Sequence, residues 1–196
     1  MSPRTLRFAA LALVALAQLA VPVSMILGHE RTLREGTVWR FRTAPVDPAD
    51  AFRGRYVALG FEVRGAPVAA GERIERGEHA YVGLSRDREG FAVLGPVRAS
   101  RPASGDYVKL RVQWIERGAE GKPSNAQLEL PFDRLYLEES VAPRAEEAYR
   151  EAQRATGDAR RPAWAVVRVR EGHAALEDVM VEGRSLRELA GRAGGG

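Results

Sequence analysis

The longest apolar stretch of the chain lies near its N-terminus, where residues 8–27 (FAALALVALAQLAVPVSMIL) include no charged side chain. A helix of this length rises about 30 Å, the thickness of the hydrocarbon core of a bilayer. Ten of the twenty residues are Leu, Ile, Val or Phe, and each favours insertion by about 0.3–0.6 kcal/mol at the bilayer centre. The pattern therefore predicts a transmembrane anchor over residues 8–27.

A cleaved signal peptide is the alternative interpretation of this stretch. Arg4 and Arg7 precede it, and Ala15-Leu16-Ala17 has the small-x-small pattern of a cleavage site. Cleavage after Ala17 would leave an apolar core near the minimum of about seven residues. It would also create an apolar new N-terminus, so we favour an uncleaved anchor.

Charged residues on both sides of the anchor bear on its orientation. Arg4, Arg7 and the terminal amine favour a cytoplasmic N-terminus. Four further arginines follow the span and favour the opposite orientation: Arg31, Arg34, Arg40 and Arg42. Because long domains cross the membrane largely regardless of charge, we expect a single-pass inner-membrane protein with a periplasmic C-terminal domain.

The expected domain boundaries follow from this topology. They are a cytoplasmic tail (1–7), a lipid-embedded anchor (8–27), a linker (28–36), a β-rich extracytoplasmic domain (37–190) and a flexible tail (191–196).

Beyond the anchor, apolar residues alternate with polar ones, which is typical of half-buried strands. Three segments each carry four apolar residues on one face: Val57, Leu59, Phe61 and Val63; Val108, Leu110, Val112 and Trp114; Ala126, Leu128, Leu130 and Phe132. Further strands are predicted over 37–43, 79–86, 91–98, 163–170 and 174–182. The predicted fold is mainly β.

Helical signals are confined to two places in the domain. Pro143 suits a first helical position, Arg150 and Arg154 suit the last turns, and Gly157 suits the end of that helix. A short second helix is predicted to begin at Ser185, with Glu188 three residues later as in a capping box.

Two pairs of similar segments raise the hypothesis of a duplication. Residues 54–59 (GRYVAL) resemble residues 105–110 (GDYVKL), and residues 88–94 (REGFAVL) resemble residues 170–176 (REGHAAL). The pairs have different offsets, so two duplicated β units would differ by an insertion that includes the predicted helix. Chance similarity between short strands is the alternative.

The block at residues 44–61 (APVDPADAFRGRYVALGF) resembles the GDYXXLXY family of bacterial membrane-anchored proteins. Gly54, Tyr56 and Leu59 match the motif, Phe61 replaces its last Tyr, and Arg55 stands where the family has Asp. The second segment keeps Gly105, Asp106, Tyr107 and Leu110. The resemblance implies a β-rich body behind an N-terminal anchor. It also implies a polytopic membrane protein as partner, because related proteins are encoded beside such proteins.

Composition excludes several kinds of chemistry. The chain has no Cys, and its three histidines are scattered without metal-ligand spacing. No phosphate-binding glycine motif follows a strand. The net charge of +4 comes from arginines interleaved with acids, which argues against nucleic-acid binding. We therefore predict no cofactor, although the arginines after the anchor could contact anionic lipid.

The motif itself has a structural and a functional interpretation. Gly54 suits a turn that enters a strand at Tyr56; alternatively, Arg53, Arg55 and Tyr56 form a recognition surface. Asp47 and Asp50 are weak candidates for a metal site, since Pro48 suits a simple turn. A serine–lysine hydrolase like the signal peptidases is disfavoured, because the chain has only two lysines and no S-x-M-x-P motif.

The leading functional hypothesis is a non-catalytic binding or accessory subunit. One alternative is a membrane-bound hydrolase that uses acidic residues such as Asp47, Asp50 and Asp106. Another is a structural protein of the cell envelope.

Overall fold

The computed structural model describes residues 3–45, 56–118, 121–154 and 162–192. The three helices of this part are α1 (Pro3–Glu35), α2 (Ala142–Arg154) and α3 (Leu186–Arg192). Its strands are β1 (Thr37–Ala44), β2 (Tyr56–Ala58), β3 (Gly60–Phe61), β4 (Gly65–Pro67), β5 (His79–Arg86), β6 (Ala92–Arg98), β7 (Tyr107–Arg117), β8 (Pro123–Glu129), β9 (Arg134–Tyr136), β10 (Ala163–Arg170), β11 (His173–Val181) and β12 (Arg184–Ser185). The predicted fold class, mainly β behind an apolar helix, is confirmed.

Helix α1 carries the apolar stretch. Within the described residues, one helix is long and apolar enough to cross a membrane, at Leu11–Glu35, with a mean hydropathy of 2.2. Its large apolar side chains are exposed all round, from 52% at Val23 to 71% at Phe8. A helix that is apolar on every side needs an apolar surrounding, so α1 fits a single-pass anchor.

Helix α1 also continues past the predicted anchor and contacts the β body. Residues 28–35, predicted as linker, are helical. Thr32 is buried, and the Gly36 amide donates to its carbonyl oxygen over 3.0 Å. A Cβ on Gly36 would lie 2.4 Å from that oxygen, so the sharp exit from the helix needs glycine. Glu35 then pairs with Arg170 of β10 at 3.1 Å.

The body consists of two five-stranded sheets and a small ribbon. The first sheet has the order β12-β11-β10-β1-β3, the second has the order β4-β8-β7-β5-β6, and the ribbon pairs β2 with β9. The Lys109 amide donates to the Gly172 carbonyl over 2.8 Å, and Val108 forms a bridge with Gly172. These contacts join the start of β7 to the β10–β11 turn, so the β structure nearly closes on itself.

The core lies between the sheets and confirms most of the predicted inner faces. Phe41, Phe61 and Phe132 are buried with ring centroids 5.0–6.2 Å apart. Val63 is half-buried against the core. Trp114 is the exception, with 57% exposure. The register of β7 against β8 shifts between Val112 and Trp114, and such a bulge turns the following side chain to the other face.

The prediction of one continuous strand through Val57, Leu59, Phe61 and Val63 is wrong. The strand is interrupted at Leu59, whose backbone amide donates a hydrogen bond to the Asp133 carbonyl oxygen over 2.8 Å. Before this point β2 pairs with β9, and after it β3 pairs with β1. A Cβ on Gly60 would lie 2.5 Å from the Ala44 carbonyl oxygen, so only glycine permits this close approach.

The two segments proposed as a repeat fold differently. Tyr56 begins a three-residue strand of the ribbon, whereas Tyr107 begins an eleven-residue strand inside the second sheet. Their pairing therefore does not support two like units. The other pair of segments shares a hairpin turn, since Gly90 and Gly172 both follow a Glu and both have positive φ.

Both predicted domain helices are present. Helix α2 packs Ala145, Tyr149 and Ala152 into the core. The side-chain Nε2 of Gln153 donates a hydrogen bond to Thr43 Oγ1 over 2.8 Å. Burial raises the pKa of the Tyr149 phenol. At the start of α3, the Glu188 amide donates to Ser185 Oγ over 3.4 Å, as the predicted capping box requires. Gly157 and residues 193–196 lie outside the described residues.

Candidate functional site

The ribbon of β2 and β9 presents an exposed aromatic surface. Tyr56 and Tyr136 are opposite each other in the register, with ring centroids 5.7 Å apart. The Arg134 guanidinium carbon lies 5.1 Å from the centre of the Tyr56 ring. Tyr136 is 61% exposed. We call Tyr56, Arg134 and Tyr136 the tyrosine patch.

Strand alternation explains why these side chains point outward. Val57 and Leu135 face each other in the register and are both about 1% exposed, so they hold the ribbon on the core. Their neighbours in each strand must then face the opposite side. The patch is therefore fixed by a buried pair directly beneath it.

The patch carries a positive charge. A hydrogen bond with the Tyr136 side chain and the nearby Asp133 carboxylate raise the pKa of the Arg134 guanidinium. The Asp133 carboxylate oxygen lies 3.7 Å from Arg134 Nε. Arg134 thus offers a cation over the Tyr56 ring and beside the Tyr136 side chain, an arrangement suited to polar and aromatic partners.

A groove of about 620 Å³ lies beside the patch and extends to the end of α1. Four elements contribute to it: α1 supplies His29 and Leu33, α3 supplies Arg187, and β9 and β11 supply most of the rest. Its other lining residues are Pro131, Phe132, Arg134, Leu135, Tyr136, Ala174, Ala175, Leu176 and Glu177. Arg187 also donates to the Tyr136 carbonyl over 3.3 Å, so the groove and the patch share a wall.

The motif residues that the structure describes divide between surface and core. Tyr56 is half-buried in the patch, whereas Leu59 and Phe61 are 3% and 4% exposed and pack in the core. The Leu and the last aromatic position of the motif are therefore packing positions. Five candidate residues lie outside the described residues: Asp47, Asp50, Arg53, Gly54 and Arg55.

The second motif segment runs from an exposed turn at Gly105 to the buried Tyr107. Gly105 has φ +81°, which supports the turn that the sequence predicts for this motif glycine. Asp106 accepts a hydrogen bond from the Trp39 indole at 3.0 Å. Tyr107 is 6% exposed, with its ring 5.9 Å from that of Tyr81. The structure thus does not bring Gly105, Asp106 and Tyr107 together with the tyrosine patch.

Two smaller depressions lie on the body. One, of about 280 Å³, shares Arg134 with the groove, and its other lining residues include Arg64, Gln113 and Asp133. The other, of about 290 Å³, lies beside Arg42 and Trp164. Over the described ranges, no cluster of three His, Asp or Glu side chains is placed to hold a metal ion.

Arg42 differs from the expected lipid-facing arginine. It pairs with Asp87 at 2.6 Å and Glu89 at 2.7 Å, and it lies over the Phe91 ring at 4.0 Å. Through these contacts the Arg42 guanidinium joins β1 to the β5–β6 turn. Arg34 pairs with Glu30 at 3.4 Å on the exposed side of α1, where such a pair contributes little.

Sequence reasoning missed Arg134, Tyr136 and Arg187. The first two belong to a three-residue strand, which is too short for a periodic signal. The sequence offers the alternation of polar Arg134, apolar Leu135 and amphipathic Tyr136, which matches the exposed–buried–exposed pattern of β9. Arg187 lies in the short helix that Ser185 predicts, but nothing local indicates which surface that helix approaches.

The fold and its surfaces define a class of protein: one candidate membrane-spanning helix that leads directly into a two-sheet β body. A family model described as GDYXXLXY protein matches residues 18–179. The chain belongs to the GDYXXLXY family. No curated protein and no solved structure matches it.

Proposed function

We propose that this protein is a non-catalytic accessory subunit, anchored in the inner membrane, that binds a polytopic membrane protein on the periplasmic side. The tyrosine patch is the proposed contact surface. The observation that carries the proposal is the exposed Tyr136 beside the half-buried Tyr56, with Arg134 over the Tyr56 ring, next to the end of the anchor.

The residue types of the patch favour protein recognition. Tyrosine and arginine are enriched at the centres of protein interfaces, where they contribute most of the binding energy. Tyr136 exposes 61% of its surface, while the strand beneath it is fixed by the core. A rigid aromatic surface loses little conformational entropy on binding, which favours affinity.

The anchor favours a partner that lies in the same membrane. Helix α1 exposes Leu11, Leu19 and Ile26 at 62–65%, so neighbouring helices can pack against it within the bilayer. The helix runs without a break to Glu35 and pairs there with Arg170. This continuity holds the body close to the membrane surface, where the loops of a polytopic protein emerge.

Site-specific photocrosslinking in native membranes tests the proposal. A photoreactive phenylalanine analogue at position 136 should crosslink to a polytopic membrane protein identified by mass spectrometry. The matched control places the same analogue at position 114, because Trp114 is similarly exposed, at 57%, but belongs to β7 of the second sheet.

A second pair of variants measures the strength of the contact. Tyr136→Ser should abolish co-purification of the crosslinked protein, whereas Trp114→Ser should retain it. Recovery of the wild-type protein only as an isolated monomer, with no adduct at position 136, would overturn the proposal. Equal adducts from positions 114 and 136 would overturn the assignment of the patch.

A further inference from the structure

We propose that the groove between α1 and the β body binds the phosphate headgroup of an anionic phospholipid, with Arg187 and Arg134 as its cationic contacts. This proposal concerns lipid and does not depend on the polytopic partner. It rests on the depth of the groove along α1, its charges and its apolar walls.

The groove opens at the depth of lipid headgroups. His29 and Leu33 line it, and they follow the last residue of the uncharged stretch, Leu27, by two and six positions. With a rise of about 1.5 Å per residue, they lie about 3 Å and about 9 Å beyond that stretch. The headgroup layer on each side of a bilayer is about 5–8 Å thick. A lipid beside α1 therefore has its phosphate level with the groove.

The charges of the groove favour an anion. Its lining includes two arginines and one carboxylate, that of Glu177. Arg168 already neutralises Glu177, with Nε at 2.6 Å from Oε2 and a second hydrogen bond of 3.2 Å to Oε1. Arg134 and Arg187 are left as the cations that face the cavity.

Neither arginine forms a close ion pair with a neighbouring carboxylate. Their side chains are 49% and 48% exposed, and their nearest carboxylate oxygens lie at 3.7 Å and 3.8 Å. The carboxylate beside Arg187 is that of Asp178, which accepts shorter hydrogen bonds from Ser185 at 2.6 Å and from the Val179 amide at 2.7 Å. Both guanidinium groups can therefore donate to a phosphate oxygen.

The remaining walls suit the apolar part of a lipid. Leu33, Phe132 and Leu176 line the groove, and Leu33 continues the apolar surface of α1 toward the body. A lipid can thus place its acyl chains along α1 and its phosphate between the arginines. Free inorganic phosphate has no group that would benefit from these walls, so the proposal commits to lipid.

Native mass spectrometry of the full-length protein in neutral detergent tests this assignment. The probes are dioleoyl phosphatidylglycerol and dioleoyl phosphatidylcholine, added separately at equal concentration. The wild-type protein should retain the anionic lipid in clear preference to the zwitterionic one. Arg187→Gln should weaken retention of phosphatidylglycerol about tenfold, as expected for the loss of one charge-assisted hydrogen bond.

Three further variants separate binding from folding and from overall charge. Arg187→Lys should keep most of the retention, because it keeps the cation. Arg134→Gln should lower retention independently, because Arg134 lines the groove from β9 and Arg187 lines it from α3. Arg117→Gln removes the same charge from an exposed arginine at the far end of β7 and should bind like wild type.

Several results would overturn the proposal. Equal retention of the two lipids would exclude recognition of an anionic headgroup. Displacement of phosphatidylglycerol by millimolar inorganic phosphate would assign the groove to free phosphate. If Arg117→Gln and Arg187→Gln lower retention equally, the effect would reflect net charge and not a specific site.

Discussion

The indole of Trp39 donates a hydrogen bond from Nε1 to Oδ2 of Asp106 over 3.0 Å, across 67 residues of sequence. Trp39 belongs to β1 of the first sheet, and Asp106 directly precedes β7 of the second. The Asp106 carbonyl also accepts from the Leu84 amide at 2.8 Å, and Arg86 lies 4.6 Å from the centre of a Trp39 ring. The acidic residue of the second motif segment thus joins the two sheets.

Substitution of Asp106 should therefore lower stability. Asp106→Ala leaves the buried indole N–H of Trp39 without an acceptor, which should reduce the free energy of unfolding by about 1–3 kcal/mol. Asp106→Asn retains an oxygen acceptor and should lose less. Urea unfolding of the full-length protein in detergent, followed by tryptophan fluorescence, measures both.

The same variants bear on the hydrolase alternative. Suppose that Asp106→Ala unfolds at the same urea concentration as wild type but no longer supports the cellular phenotype of the protein. The Asp106 carboxylate would then have a chemical role and not a structural one. Asp47 and Asp50, which the alternative also invokes, would then need the same two measurements.

Gly172 and Gly183 form a matched pair of turn glycines. Each follows a glutamate with φ 52° in a hairpin turn, and their own φ values are +86° and +78°. A Cβ on Gly172 would lie 2.8 Å from Cε2 of Tyr107, whereas a Cβ on Gly183 would meet nothing within 4 Å. An alanine would suffer the same backbone strain at both sites, but only at position 172 would its Cβ collide with another side chain.

Alanine at both positions should separate these effects. Gly183→Ala should cost about 1–2 kcal/mol, because an L-residue is forced into the left-handed region. Gly172→Ala should cost about 1–3 kcal/mol more, because Tyr107 must move. Thermal unfolding of the two variants side by side gives the difference, and equal midpoints would contradict the packing of Tyr107 on this turn.

Asp87 should make the β5–β6 turn sensitive to acid. Its carboxylate accepts from the amides of Phe91 and Glu89, each at 2.9 Å, and pairs with Arg42 at 2.6 Å. The hydrogen bond from Phe91, followed by that from Arg42, lowers the pKa of Asp87 below its ordinary value. The folded protein thus holds the proton less tightly than the unfolded chain does.

The stabilisation by Asp87 is complete above the ordinary carboxyl pKa of about 3.9 and is lost as the pH falls through the lowered pKa of the folded state. Asp87→Asn should therefore be less stable than wild type near neutral pH, and the two stabilities should converge in strong acid. Unfolding midpoints measured from about pH 6 to about pH 2 test this. Glu89→Gln, which leaves the backbone contacts of Asp87 intact, should keep the wild-type slope.

The orientation of the anchor is open to a direct test. With the body in the periplasm, alkaline phosphatase fused to the C-terminus should be active and green fluorescent protein at the same site should be dark. Arg4→Glu combined with Arg7→Glu should shift part of the population to the reverse orientation, because positive residues near a span favour the cytoplasmic side. Fluorescence from the wild-type fusion would contradict this orientation and place the C-terminus in the cytoplasm.

Local patterns predicted the parts of the fold that local physics controls. Alternation identified the strands of the body, and β10 begins and ends where residues 163–170 predicted. Ser185 and Glu188 located the start of α3, because a cap needs only neighbouring residues. The alternation wrongly placed Trp114 on the buried face, because the bulge before it depends on the register with β8.

The candidate surfaces were much less visible in the sequence. The motif drew attention to Tyr56, but its partner Tyr136 lies far along the chain in a strand of three residues. Leu59 and Phe61 looked like members of a recognition motif and are core positions. The alternation that identified them as one face was correct, while their strand is divided between two partners.

The sequence by itself determined that an apolar helix precedes a β-rich body, that most apolar positions of the predicted strands are buried, and that the chain carries the GDYXXLXY motif. These properties follow from hydrophobicity and from the period of each strand, which are local. The tertiary structure decided that β2 pairs with β9, that Asp106 accepts a hydrogen bond from Trp39, and that Arg134 and Arg187 line one groove beside α1. Such contacts depend on backbone pairing and packing between distant segments, so a short stretch of sequence cannot predict them.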